Sequence, residues 1–197
     1  MLSTPTHVIA YHNGMEQGKW LKKSLKRTEL YGKTLALLGI GNIATKVAER
    51  AKAFGMNVVA YDKYISSSPV AQMMPTLEET VKYADFISIH MPLTDETKSM
   101  LNMDLFKKME HNPVIINTAR ALIVDAKDMV EALDKGIITW YCSDVYPTDP
   151  PADDYPILKA TNVTLTPHCG ANTKENMLRI GEEALSIIKE LKDGGKI

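Results

Sequence analysis

A doubly wound α/β fold on a mostly parallel, six-stranded sheet is predicted by three features of this sequence. Short apolar runs at residues 35–38, 57–61, 86–89, 114–116, 138–142 and 163–165 alternate with stretches of helical periodicity. The connections between these runs are too long for hairpins, which favours parallel strands joined by right-handed crossovers. The first run, Leu35-Ala36-Leu37-Leu38, empties into Gly39-Ile40-Gly41 and then into a helical pattern, the order of a strand, a tight turn and a helix. At 197 residues the chain suits one large domain. That domain is assigned to residues 14–197, behind an irregular segment at 1–13.

Residues 1–13 carry Pro5, His7 and His12 with little periodicity. Residues 15–27 are predicted as a helix with Trp20, Leu21, Ser24 and Leu25 on one face and lysines elsewhere. Gly32 breaks that pattern before the first strand. In the glycine turn, Gly39 permits the sharp bend, Gly41 lets a phosphate approach the backbone, and small Ala44 lets the helix pack near the strand. Ala44, Val47, Ala48, Ala51 and Phe54 then recur at helical spacing, with Gly55 where a C-terminal cap belongs. The second strand ends in Asp62, roughly 20 residues past the glycines, where dinucleotide-binding folds place an acid on the ribose hydroxyls. The alternative for Asp62 is a plain turn residue ending a strand.

Thr76 to Glu79 has capping-box spacing and opens a short helix. The third strand delivers His90, Met91 and Pro92, after which Asn102 caps a helix through Lys108. The fourth leads into Asn117-Thr118-Ala119-Arg120, and Asp125 caps a helix that Gly136 stops. The fifth empties into Ser143-Asp144-Val145-Tyr146 and a proline-rich loop at 147–156, and the sixth ends in Thr166-Pro167-His168. Asn172 with Glu175 is predicted to cap a last, long helix whose apolar stripe is Met177, Ile180, Ala184, Ile187, Ile188 and Leu191.

Composition narrows the function classes. With 45% hydrophobic and 24% charged residues the chain suits an ordinary globular core, and a net charge of −1 gives no electrostatic reason to expect nucleic acid. No segment is apolar for long enough to suggest a membrane span. Cys142 and Cys169 have no ligand-like spacing, so no metal is expected, and without a secretory pattern a reducing cytoplasm is the expected location.

In doubly wound sheets, ligands bind beyond the carboxyl ends of the strands. Gly39, Asp62, His90, Arg120, Asp149 and His168 all follow strand ends here, so ionisable groups are expected along one sheet edge. Arg120 offers a planar fork of donors that matches a carboxylate. His168 is the residue type that takes and returns a hydroxyl proton near neutral pH, and a carboxylate from Asp149 would fix an imidazole's tautomer. Taken one at a time, each has a plainer reading: Arg120 in a surface ion pair, Asp149 in a proline-flanked turn, His168 as a strand-end residue.

Taken together, these segments resemble the cofactor domain of the D-isomer-specific 2-hydroxyacid dehydrogenases, a family that includes 3-phosphoglycerate dehydrogenase. The carriers are Gly39 to Ala44, Tyr61-Asp62, His90-Met91-Pro92-Leu93-Thr94, Asn117 to Arg120, Asp144 to Pro150 and Thr166 to Gly170, in an order that covers about residues 18 to 195. The resemblance implies a Rossmann-type domain binding NAD and acting on a small 2-hydroxy or 2-keto acid. Arg120 would bind the substrate carboxylate and carbonyl, His168 would be the acid–base and Asp149 its support. Gly39, Gly41, Asn42, Ile43, Asp62, His90, Met91, Pro92, Thr97, Thr118, Ala119, Asp144, His168 and Gly170 would hold the cofactor. A homodimer is implied as well.

Several positions depart from the family pattern. Asp149 stands where glutamate is usual, Ala121 where glycine is common, Ala44 in place of a frequent glycine, and Asn42 where many relatives carry a basic residue near the pyrophosphate. A separate substrate domain is not evident in the sequence. A non-catalytic NAD(H)-binding module, truncated or redox-sensing, is therefore the alternative. A flavodoxin-like signalling domain would explain the alternation but not Arg120, Asp149 and His168 together.

Overall fold

The computed structural model describes residues 1–25 and 27–194. Two short helices, α1 (Ser3–Thr6) and α2 (Val8–Glu16), precede the sheet. Its strands are β1 (Thr34–Leu38), β2 (Asn57–Tyr61), β3 (Gln72–Met73), β4 (Phe86–Ile89), β5 (Val114–Asn117), β6 (Trp140–Ser143) and β7 (Val163–Leu165). The helices between and after them are α3 (Asn42–Ala53), α4 (Leu77–Lys82), α5 (Met103–Phe106), α6 (Ala126–Asp134) and α7 (Lys174–Asp193). Among the described residues, the strands form one parallel sheet in the order β3-β2-β1-β4-β5-β6-β7. The order reverses between β1 and β4, the switch point at which such folds open a crevice.

Alternation along the strands divides the core between the two sheet faces. Leu35 and Leu37 of β1 pack with Ala44, Ala48 and Ala51 of α3, while Ala36 and Leu38 face a cluster with Phe106 and Met129. Small alanines let α3 lie close to the sheet, which brings its N-terminus against the end of β1. Each fully buried leucine or phenylalanine stabilises by about 1.5–3 kcal/mol. Caps fix where the helices begin: Thr76 accepts from Glu79 N, Asn102 from Asp104 N and Leu105 N, and Asp125 from Lys127 N and Asp128 N. Such a cap is worth about 1 kcal/mol.

The structure corrects several sequence expectations. The sheet has a seventh strand, β3, whose two residues are too few to show periodicity; it is held to β2 by pairing at Val59 and Ala60. Residues 1–13 are not irregular, and the helix predicted at 15–27 instead runs from Val8 to Glu16. Gly18, at φ 69°, ends it, and Lys19 N returns to Gly14 O at 2.8 Å. Leu21 then folds back on Gly14, so closely that a Cβ there would stand 2.6 Å from Leu21 Cδ1. Lys26 of that predicted helix, and residues 195–197 of the predicted domain, lie outside the described residues.

The N-terminal helices dock on the face of the sheet at β6, where Thr4 Oγ1 meets buried Cys142 Sγ at 2.9 Å and the His7 ring stands edge-on to Trp140. Ile138 belongs to the turn after α6, its N–H returning to Ala132 O, so the strand predicted at 138–142 begins at Trp140. α7 is capped by Thr173, one residue after Asn172, and its apolar stripe is exposed rather than buried.

A candidate cofactor and substrate cleft

The residues predicted from the strand ends assemble along the carboxyl edge of the sheet. A cleft of about 840 Å³ is lined by Gly41, Asn42, Ile43, Ala44, His90, Met91, Pro92, Thr118, Ala119, Arg120, Asp144, His168, Gly170 and Ala171. A smaller one, about 130 Å³, shares His90, Met91 and Pro92 and adds Gly39, Asp62 and Thr97 with Lys63, Tyr64, Thr94 and Glu96. A third, about 390 Å³, joins the shared His168 to Asp149, Pro150, Pro151 and Pro167. Every site residue named from the sequence lines one of these three adjoining clefts.

Local structure explains the placement. Gly39 sits at φ 93°, and a Cβ there would stand 2.8 Å from His90 O. That carbonyl cannot retreat cheaply, because His90 N is bonded to Leu38 O and Gly39 N to Tyr61 O, both at 2.8 Å. Open space surrounds Gly41, and no side chain caps α3 there. The first N–H groups of the helix are thus left for an anion, with the helix dipole favouring negative charge. Asp62 Oδ2 accepts from Ile40 N at 3.0 Å and Oδ1 from Tyr64 N at 2.9 Å, which ties the end of β2 to the glycine turn. Thr97 Oγ1 donates to Pro92 O at 2.7 Å and accepts from Thr94 N at 2.8 Å, fixing the loop after β4. These features fit a dinucleotide: an open glycine, free helix N–H groups and a carboxylate beyond the neighbouring strand.

His90 is mostly buried, its Nε2 2.9 Å from Ser88 Oγ, and burial lowers its pKa from 6.5 to about 4. The unfolded chain therefore takes up this proton first. The stability that His90 contributes above pH 6.5 is lost as pH falls toward 4, a loss on the order of 3 kcal/mol. Denaturant unfolding at pH 7 and pH 4.5 should show a drop that is clearly smaller in His90→Gln. An equal drop in both proteins would assign it to other groups.

At the far end of the cleft, Asn117 is fully buried, and its side chain accepts from Ala119 N and donates to Arg120 O, each at 3.0 Å. This Asx-type turn carries the chain from β5 to an exposed Arg120. Arg120 Nη1 donates to Ala119 O at 2.7 Å, and among the described residues the guanidinium has no carboxylate partner. Asp144 accepts from Thr166 Oγ1, from Cys169 N at 2.9 Å and from Gly170 N at 2.8 Å. Burial opposes its charge, but these hydrogen bonds outweigh that and hold its pKa below the ordinary value. A Cβ on Gly170 would stand 3.0 Å from Asp144 Oδ2, so a larger residue there would push the carboxylate back by a few tenths of an ångström. The clamp holds His168, itself at φ 52°, and His168 Nδ1 meets Asp149 Oδ2 at 2.5 Å. A carboxylate only accepts, so the Nδ1 proton belongs to the imidazole and Nε2 is left to react. The short side chain of Asp149 thus reaches His168.

Sequence reading missed Asn117 as the residue that shapes the Arg120 turn and Glu96 as a wall of the smaller cleft. The Asn that directly follows the apolar run at 114–116, three residues before Arg120, is the available signal for the first. None existed for Glu96, whose partner Lys63 is 33 positions away. Among the described residues, no group of acidic, histidine or cysteine side chains could hold a metal, and no helix is long and apolar enough to cross a membrane.

Comparison with known proteins gives this geometry its family. Residues 1–170 match the D-isomer specific 2-hydroxyacid dehydrogenase, NAD binding domain. A hydroxypyruvate reductase of Thermotoga maritima is 39% identical over 97% of this chain and 63% of its own length. A D-3-phosphoglycerate dehydrogenase of Methanocaldococcus jannaschii is 37% identical over 98% of this chain and 38% of its own. Among solved structures, a glyoxylate reductase from Paecilomyes thermophila superposes with TM-score 0.88 at 28% identity, over 99% of this chain and 60% of that one. An NAD-dependent formate dehydrogenase from Staphylococcus aureus, in complex with NAD, gives the same score and identity over 98% and 59%. The chain spans less than two thirds of the length of these relatives. It belongs to the D-isomer specific 2-hydroxyacid dehydrogenase family, and its fold is that family's NAD-binding domain.

Proposed function

We propose that this chain forms the cofactor side of an oxidoreductase that interconverts a D-2-hydroxy acid and its 2-keto acid, with His168 as the acid–base. The observation that carries this reading is the pairing of His168 Nδ1 with Asp149 at the mouth of the cleft that also holds the exposed guanidinium of Arg120, which has no carboxylate partner among the described residues. Asp149 fixes the tautomer and stabilises the imidazolium once it forms. His168 Nε2 then takes the hydroxyl proton in oxidation and returns it to the developing alkoxide in reduction. Arg120 pairs with the substrate carboxylate through its fork and places a positive charge beside the carbonyl oxygen.

The N–H groups at the start of α3 receive the pyrophosphate, Asp62 receives the ribose hydroxyls, and His90 to Pro92, Thr118 and Asp144 line the nicotinamide end. Bound there, NAD supplies the hydride acceptor for oxidation and, once reduced, the donor for the reverse reaction. Asp62 favours NAD over NADP by repelling a ribose 2′-phosphate.

The test is NADH consumption with a panel of 2-keto acids that includes hydroxypyruvate and glyoxylate. Turnover on at least one supports the reading. NADH binding without turnover on any of them would contradict it and favour a binding module, the reading to which the open, exposed setting of His168 also lends itself.

A further inference from the structure

Beside Asp62, the one acid expected at the ribose, stands a cation whose charge has been taken out of play. Lys63 Nζ is chelated by both carboxylate oxygens of Glu96, at 2.8 and 2.6 Å. The pair spans the smaller cleft from the loop after β2 to the loop after β4. Glu96 is held in place, since it lies inside the turn that Thr94 and Thr97 close through side-chain and backbone hydrogen bonds. Without that partner, a lysine next to the ribose acid is what a 2′-phosphate would attract.

We propose that Glu96 is a specificity-determining residue for the dinucleotide: by binding Lys63 across the cleft mouth it withholds the lysine from a ribose 2′-phosphate. NADP(H) is thereby disfavoured by an ion pair as well as by Asp62. The inference rests on the reading that the cofactor's ribose lies at Asp62. Glu96 acts through Lys63 and touches no reacting atom, so it is a positioning residue. Both side chains are more than half exposed, and their replacement leaves the core untouched.

The experiment titrates NADH and NADPH by fluorescence into the wild-type chain, Glu96→Gln, and Glu96→Gln combined with Lys63→Met. Expected is a fall of about tenfold in the ratio of NADPH to NADH dissociation constants in Glu96→Gln at low salt, shrinking at high salt. Most of that change should vanish in the double variant. An unchanged ratio in Glu96→Gln, with NADH still binding, would overturn this inference alone. Persistence of the whole change in the double variant would also overturn it, because Lys63 would then play no part. Failure of the wild-type chain to bind NADH would overturn the assignment of the cleft, and this inference with it.

Discussion

His168→Ala should lower turnover by about 10²–10⁴-fold, the range that general acid–base catalysis contributes, while NADH continues to bind. The expectation follows from where the histidine sits. It is anchored by a carboxylate on one ring nitrogen, and its loop is held by the Asp144 clamp. Removing the ring takes away the proposed proton acceptor, whereas the glycine turn and Asp62 lie at other strand ends and stay as they are. His168→Gln restores a hydrogen-bonding side chain but no group able to accept and hold the proton, so it should be nearly as slow. Steady-state rates with NADH titrations in parallel check both statements. Joint loss of turnover and NADH affinity would show that the residue holds the cofactor rather than the proton.

The second large effect separates the two glycines of the turn. Gly39→Ala places a Cβ at a left-handed backbone and 2.8 Å from the His90 carbonyl, with Gly39 N and His90 N each fixed by a strand hydrogen bond. Strain of about 1–3 kcal/mol from the backbone and a similar amount from overpacking give an expected loss on the order of 3 kcal/mol. Gly41→Ala meets open space at an ordinary φ of −73°, so its stability loss should stay below about 1 kcal/mol. Its methyl group instead occupies the approach to the free helix N–H groups, and NADH affinity should fall by about tenfold or more. Chemical denaturation and NADH titration of both variants distinguish the roles. A Gly41→Ala protein that binds NADH as tightly as the wild type would remove the pyrophosphate from this turn.

The pattern of these effects reflects what a linear sequence can encode. Strand ends are set by local patterning, so the residues that follow them are legible as one sheet edge from the sequence alone, and the clefts gather all of them. Asp125 and Asn102 were legible as caps for the same reason, since a cap acts within three residues. Features that depend on a fold-back were not. The stop of α2 at Glu16 needs Leu21 to return onto Gly14, although Trp20 and Leu21 match a continued helical face equally well. The pattern of α7 named an apolar face without naming a neighbour to cover it, and that face is exposed. The Lys63–Glu96 pair joins the loops after β2 and β4, strands that flank β1 and come together only once the sheet has formed.

Isotope transfer tests whether this cleft passes hydride to a 2-keto acid while His168 supplies the proton. NADH deuterated at nicotinamide C4 would be incubated with the chain and a 2-keto acid, and the product examined for label and handedness. A D-2-hydroxy acid carrying the deuterium at C2 is expected, formed far more slowly by His168→Ala. Bound NADH with no deuterium reaching C2 of any acid tested would contradict it.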